Sequence, residues 1–436
     1  MLPDELWMLI WWHLPFVDLL ASSQTSRSWR HLAITTPYLW SRIYFFTSKH
    51  SFTCRCADCG LAKDYTRPLE PYGKTSIHLV SSLIIRAGNL PLSLLLEAQL
   101  SRPDECNLDY QVVRDFVQLL CPHLGRFTGI TFVTNSIYGV SPFVAAMFNS
   151  HPLPMLRSVD VDLSPDQPPS EPLQPSGDLT NYRAVHLSPS AWDTRILESL
   201  LFPPDYTVWS SPEGHIDAYQ HLARLSIGVM CIEQLTELVD FCPSLIQLHL
   251  SFRFYDYWNQ QYQSRTTRET LAKLTRLKLD DVPHAFYVDT THDHIWELLQ
   301  VRKCHDVTIN FRERWEPSDG VPMRVFLAVL DLDLEQGIQL TICSIREEAC
   351  IEISAAPLRQ RDNLNRRLHR TIVLPSAMMQ HCATDEVYRS TCTDILVSSL
   401  LSFSSAVREI HIDQSLPYLS CADWGLYFPN AVVLRN

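Results

Sequence analysis

Apolar residues crowd the first forty positions of the chain, and their spacing is helical. Leu6, Leu9, Ile10 and Leu14 form one stripe with the three-and-four interval of an α-helix, while Trp7, Met8, Trp11 and Trp12 leave the opposite side apolar as well. Pro3 suits a first helical position, Asp4 and Glu5 suit a first turn, and Pro15 stops the run. Asp18 predicts the N-cap of a second helix from Leu19 to about Thr25, and a third carrying Trp29, Leu32 and Ile34 ends before Pro37. A short helix that is apolar all round needs cover on two sides. Three such helices cannot bury that surface among themselves, so the pattern implies a partner.

The ordered set Leu2-Pro3, Glu5, Ile10, Leu14-Pro15, Asp18-Leu19-Leu20, Trp29, Pro37 and Leu39-Trp40 resembles an F-box, the motif that docks substrate receptors onto the Skp adaptor of cullin-based ubiquitin ligases. It is similar in particular to the F-box families of mushroom-forming fungi, in which the motif opens the chain and a leucine-rich region follows. The sequence departs from such motifs at Thr25-Ser26, where a small apolar residue and Cys are common, and at Arg27-Ser28, which replaces a basic pair. The resemblance implies an adaptor-docking surface drawn from Leu2, Pro3, Ile10, Leu14, Leu19, Leu20 and Trp29. A signal peptide or membrane anchor is the competing reading of the same stretch. Against it stand the missing basic segment, the acids Asp4 and Glu5, and an apolar run too short to span a bilayer.

Beyond Trp40 the pattern changes period. Residues 41–46 alternate like a strand, residues 50–63 read as a polar loop, and residues 79–100 predict a helix, a turn at Gly88-Asn89 and a strand on which Leu92, Leu94 and Leu96 alternate. A unit then recurs, Leu-x-x-Leu-x-x-Leu-x-Leu with apolar substitutes. Its clearest copies are residues 271–279 and 243–250; others are 153–161, 179–187, 219–227 and 301–309, with weaker ones ending at Ile342, Leu374 and Ile412 and a truncated one at 429–434. The strand positions Val159, Val185, Leu225, Leu248, Leu277, Val307, Leu340, Ile372 and Ile410 are irregularly spaced, between 23 residues (Leu225 to Leu248) and 40 (Val185 to Leu225). Helical stripes are expected between them at 111–120, 196–201, 232–241, 295–301, 323–330 and 395–401. A strand followed by a helix at this period is the leucine-rich-repeat signature, in which stacked units bury a shared core. The expected fold class is therefore α/β: a short all-α F-box of three helices at 1–46, a linker and Cys-containing loop at 47–78, and an irregular leucine-rich-repeat solenoid of parallel strands and helices, with insertions, at 79–436.

Composition narrows the function. With 46% hydrophobic residues the 436-residue chain can bury a large core. The excess of 48 Asp and Glu over 36 Lys and Arg, a net charge of −12, opposes a nucleic-acid role. Thirteen Cys without paired spacing read as reduced thiols of the cytosol or nucleus. Only 12 Gly argues against a nucleotide enzyme, whose phosphate loops need backbone to approach ligand closely. No Walker loop, dinucleotide fingerprint, zinc helix or nucleophile elbow is present, and no catalytic residue or cofactor is expected.

Four stretches remain. The Pro-rich segment 164–178 reads as a spacer. Residues 252–268 set aromatic side chains in a polar loop, and Tyr255, Tyr257, Trp258 and Tyr262 are the expected substrate contacts, with a cap over the repeats as the alternative. Cys54, Cys56, Cys59 and His50 crowd four zinc-type donors into ten residues, without the two well-spaced pairs that tetrahedral zinc uses, and read as loop cysteines; His284, His292, His294, Asp289 and Asp293 read as a solvated loop. The basic run Arg359, Arg361, Arg366, Arg367, His369 and Arg370 could fork onto phosphate but reads first as a solvated face. The expected function is a non-enzymatic adaptor of a Skp/cullin/F-box ubiquitin ligase that holds a protein substrate on its repeats, in the cytoplasm or nucleus, with no nucleic-acid or membrane partner. The alternative is a repeat scaffold whose F-box-like helices cap the solenoid or bind the adaptor without recruiting a cullin.

Overall fold

A computed structural model describes residues 3–14, 16–47, 75–98, 108–134, 152–163, 196–202, 219–229, 235, 242–252, 271–282, 299, 304–311, 338–345, 350–357, 369–374, 407–412 and 424–435. The chain divides into two compact units, Met1–Leu222 and Ala223–Asn436.

The first unit opens with three helices, α1 (Asp4–Trp12), α2 (Phe16–Thr25) and α3 (Arg27–Ile34). Asp18 does not cap α2, which already begins at Phe16. It lies in the first turn, where a carboxylate meets the unpaired N–H groups of the helix start. The capping side chain of this region is Ser26, whose Oγ accepts from Trp29 N at 3.1 Å to start α3. A 3-10 turn, Pro37–Trp40, leads into β1 (Arg42–Phe46).

Two strand–helix–strand crossovers follow: α4 (Ile77–Arg86) to β2 (Leu92–Ala98), and α5 (Leu108–Leu120) to β3 (Phe127–Thr134). The predicted turn at Gly88 is real, and its φ of 58° is a backbone state that glycine adopts without a Cβ clash. β4 (Ser158–Leu163) and β5 (Ser199–Leu201) continue the sheet, whose strands in this unit follow in the order β1-β2-β3-β4-β5, each parallel to the next. Val80, Leu83 and Ile84 of α4 and Val113, Phe116 and Leu120 of α5 are fully buried, as are Ile43, Phe45, Leu94, Leu96, Ile130 and Phe132 of the strands. Phe45 and Phe116 stack with ring centroids 3.9 Å apart. The expected helix at 196–201 is instead β5: Leu197, Leu200 and Phe202 are buried at spacings of three and two, the signature of a turn entering a strand rather than of a helical stripe.

The second unit carries β6 (Arg224–Gly228), β7 (Gln247–Ser251), β8 (Arg276–Val282) and β9 (Asp306–Phe311), each parallel to the next. The order then breaks. β10 (Ile338–Ile345), β11 (Cys350–Pro357) and β12 (His369–Leu374) return as an antiparallel meander, so that β12, not β10, pairs with β9. β13 (Val407–Ile412) and β14 (Val432–Arg435) extend the sheet from β10, again in parallel. An α/β architecture with a parallel-strand sheet thus follows the helices, although β11 runs against its neighbours and strand order is not chain order throughout.

The recurrent sequence unit has a physical form. Leu156, Leu222, Leu245 and Leu274 each donate a backbone N–H to the carbonyl three residues back, closing a one-turn bend before the strand. Amides at the strand entry then reach the preceding copy: Arg157 to Thr128 (2.8 Å), Ile246 to Ala223 (2.8 Å), Thr275 to Ile246 (2.9 Å) and His305 to Thr275 (2.9 Å). The same two bonds recur because the same Leu positions go inward; Leu245, Leu248 and Leu250, and Leu274, Leu277 and Leu279, are all buried. The predicted copy at 179–187 and the helices at 323–330 and 395–401 lie outside the described residues, as do all of 232–241 except Leu235 and all of 295–301 except Leu299.

Candidate functional site

Two surfaces carry the residues with something to bind. The first is built on α1. Pro3 receives the opening bonds of the helix, from Leu6 N at 3.1 Å and Trp7 N at 3.3 Å. The indoles of the helix face inward: Trp29 lies 4.7 Å from Trp7 and 5.4 Å from Trp11, and Trp12 lies 5.5 Å from Tyr38. The aliphatic stripe is left on the outside, with Leu6 44%, Leu9 58% and Ile10 44% exposed. Three large apolar side chains on two turns of one helix make a contiguous sticky strip of the kind that marks a protein contact. Ile34, at the end of α3, is 48% exposed.

The helices are fastened to the sheet from below. Arg42 of β1 donates to the Trp12 carbonyl at 3.1 Å and lays its guanidinium 3.8 Å from the Trp12 ring centroid. Trp40, almost fully buried, donates its indole N–H to Ala33 O at 2.7 Å and receives Arg86 of α4 over its ring at 5.0 Å.

Of the residues expected at a docking surface, Pro3 and Ile10 are exposed, Leu14 and Leu20 are half-buried, and Leu19 is 5% exposed, an interior residue of the helices. Trp29 is half-buried between Trp7 and Trp11. Leu2 lies outside the described residues. Leu6 and Leu9 were absent from that set although the stripe contained them. Both sides of α1 are apolar, so period alone did not say which would face out.

The second surface is the outward face of the sheet in the second unit. Alternation sends Leu225, Leu248, Leu277 and Val307 inward and leaves two rows on the other side: Arg224, Gln247, Arg276 and Asp306 in one register, Ser226, His249, Lys278 and Thr308 in the next. His249 joins its neighbours, with Ser226 Oγ 3.0 Å from Nδ1 and Asp280 Oδ2 2.5 Å from Nε2. Asp280 can only accept, so Nε2 carries a hydrogen; in the neutral imidazole Nδ1 is then the acceptor and the Ser226 hydroxyl donates. Lys278 Nζ lies 2.9 Å from the same carboxylate oxygen, and Asn310 Nδ2 donates to the other. A register shift between Leu279 and Val282, with Asp281 at φ 56°, brings Asp280 and Asp281 side by side, and Ser251 Oγ donates to Asp281 at 3.2 Å. Burial by itself would raise the Asp280 carboxyl, but the hydrogen bonds and charges of His249 and Lys278 outweigh it and hold Asp280 below its ordinary value of 3.8. The order serine–histidine–aspartate is that of a nucleophilic relay. Here, however, Ser226 is 9% exposed in mid-strand, and the carboxylate is shared with Lys278, so the arrangement serves to hold the face rigid.

The aromatic loop residues Tyr255, Tyr257, Trp258 and Tyr262 lie outside the described residues, as do the cysteine loop, the histidines at 284, 292 and 294, and the basic run up to Arg367. His369 and Arg370 are on β12. Among the described residues no group of three His, Cys, Asp or Glu could hold a metal ion, and no helix is long and apolar enough to cross a membrane. No curated protein matches the chain. Residues 1–46, which are α1 to α3, the 3-10 turn and β1, match a family model described as F-box-like, and the chain therefore carries an F-box-like domain there.

Proposed function

We propose that this chain is a substrate-recognition adaptor of a Skp/cullin/F-box ubiquitin ligase, acting in the cytoplasm or nucleus, with its sheet-bearing remainder holding a protein substrate. The observation that carries the reading is the coincidence of the F-box-like match over residues 1–46 with the exposed strip Leu6, Leu9 and Ile10. A Skp-type partner would cover that strip. The adaptor would perform no chemistry of its own; it would accelerate ubiquitin transfer by holding the acceptor near the loaded enzyme. Turn-entered parallel strands are compatible with an irregular leucine-rich-repeat solenoid of the kind seen in the fungal families that the N-terminal motif resembles, and the aromatic loop at Tyr255, Tyr257, Trp258 and Tyr262 is the proposed second contact with substrate.

The test is co-expression with a Skp-type adaptor followed by size-exclusion chromatography of wild type and of Leu9→Asp/Ile10→Asp. The wild type is expected to co-elute and the variant to elute alone with unchanged circular dichroism, because both side chains are outside the helical core. Co-elution of the variant would remove the docking assignment. A second reading is that the helices serve as a cap for the sheet, and the attachment of Trp12 and Trp40 through Arg42 and Arg86 favours it. In that case neither protein co-elutes.

A further inference from the structure

The outward face of β6 to β8 holds two cations without a counter-charge among the described residues. Arg224 and Arg276 are exposed, stand in the same register row with Gln247 between them, and make no side-chain ion pair or hydrogen bond among the described residues. Among the described residues their surroundings explain why. The carboxylates nearby are committed, Asp280 to His249, Lys278 and Asn310, Asp281 to Ser251, while Asp306, next to Arg276 in the row, is also engaged. In a chain of net charge −12 a basic pair with no carboxylate partner among the described residues, on a polar, hydrogen-bonded face, is out of keeping with the whole. Guanidinium forks are built to take planar carboxylates two bonds at a time.

From this we infer that the sheet face of the second unit binds an extended acidic segment of a protein partner, with Arg224 and Arg276 each taking one carboxylate and Gln247 and the Lys278 row hydrogen-bonding between them. The spacing fits that ligand when the segment takes the extended polyproline II form. Two strands apart places the arginine backbones roughly 10 Å from each other, and in that form, with three residues per turn and a rise of about 3.1 Å, residues i and i+3 lie on one face roughly 9 Å apart. Acidic side chains at every third position would therefore meet both guanidinium groups in one pass across the strands. The inference rests on the adaptor reading only for what the captured segment is used for; the binding itself stands apart from it.

The experiment uses the full chain and a fluorescein-labelled peptide of four Glu-Ser-Thr repeats, read by anisotropy, with the Gln-Ser-Thr peptide and a fluorescein-labelled single-stranded RNA as comparisons. Wild type is expected to bind the Glu peptide at least tenfold more tightly than the Gln peptide or the RNA, and to lose affinity as salt rises. Arg224→Ala and Arg276→Ala are each expected to weaken binding several-fold, and the double variant to bind the two peptides alike. Unchanged binding by the double variant, or RNA bound as tightly as the Glu peptide, would overturn the proposal. Adaptor co-elution is measured on the same variants: its loss in wild type with peptide binding kept removes the ligase reading and leaves this site, whereas the reverse removes only this site.

Discussion

Asp280 gathers three donors, with His249 Nε2, Lys278 Nζ and Asn310 Nδ2 all directed at its two oxygens. Its pKa is depressed in the folded protein, so the proton binds the unfolded chain more readily than the folded one. The stabilisation from this site is then fully present above the ordinary value of 3.8 and is lost as the pH falls through the lower folded value. Replacing the carboxylate by Asp280→Asn keeps the shape and removes the charge. At neutral pH the variant should lose about 1–3 kcal/mol, since charged hydrogen bonds to His249 and Lys278 become weaker ones. The difference should shrink only as the pH falls below 3.8 and through the lower folded value, where the two proteins converge. Thermal unfolding followed across that range checks both statements, and parallel curves for wild type and variant would show that Asp280 titrates as it does in the unfolded chain.

At the level of elements, the sheet owes its helix side to a few aromatic and aliphatic contacts. Phe116 of α5 is fully buried and stacked on Phe45 of β1, the strand that pairs with β2, which α5 connects to β3. Phe116→Ala would leave a ring-sized void and is expected to cost about 3–5 kcal/mol, measured as a shift of the denaturant midpoint. A loss near the few tenths of an exposed-site change would mean that the stack is not part of the core.

The elements themselves were unequally legible. A strand with Leu at every expected position, such as β7 or β8, announces itself because a turn spacing of three gives way to a spacing of two. β3 has the same spacing in Leu124, Phe127, Ile130 and Phe132 but not the same residue, and a search for leucine passed over it. β11, CIEISAAP, mixes small and polar residues into the strand and carries no such mark. Strand order is a matter of long-range pairing, and nothing local told β12 rather than β10 to join β9. The polar network was hidden for the same reason: Ser226, His249 and Lys278 are each the middle residue of an apolar-x-apolar triplet, and only the register of neighbouring copies brings them into one row. The outward strip of α1 was half visible, as a stripe whose direction depended on the tryptophans finding Trp29.

For the molecule as a whole, the match to a separate N-terminal family hides a structural continuity. Residues 1–46 include β1, which pairs with β2 from Arg42↔Ser93 to Phe46↔Glu97 and is the last strand on that side of its sheet. Cutting at the family boundary would strip β2 of its partner, bare a row of N–H and C=O groups, and expose Phe116 where Phe45 had covered it. Cutting at the start of β1's lead-in turn is a different operation, because a chain beginning at residue 37 keeps Trp40 against Arg86 and the whole of β1. A chain beginning at residue 47 is therefore expected to run in the void volume on size-exclusion chromatography, and one beginning at residue 37 as a single included peak with a cooperative thermal transition. If the shorter chain were equally monodisperse, β1 would be an appendage of the helices and the F-box-like domain could swing on its own. With β1 integral to the sheet of the first unit, α1 is tied to that sheet through Arg42 and Trp12 rather than through the chain alone.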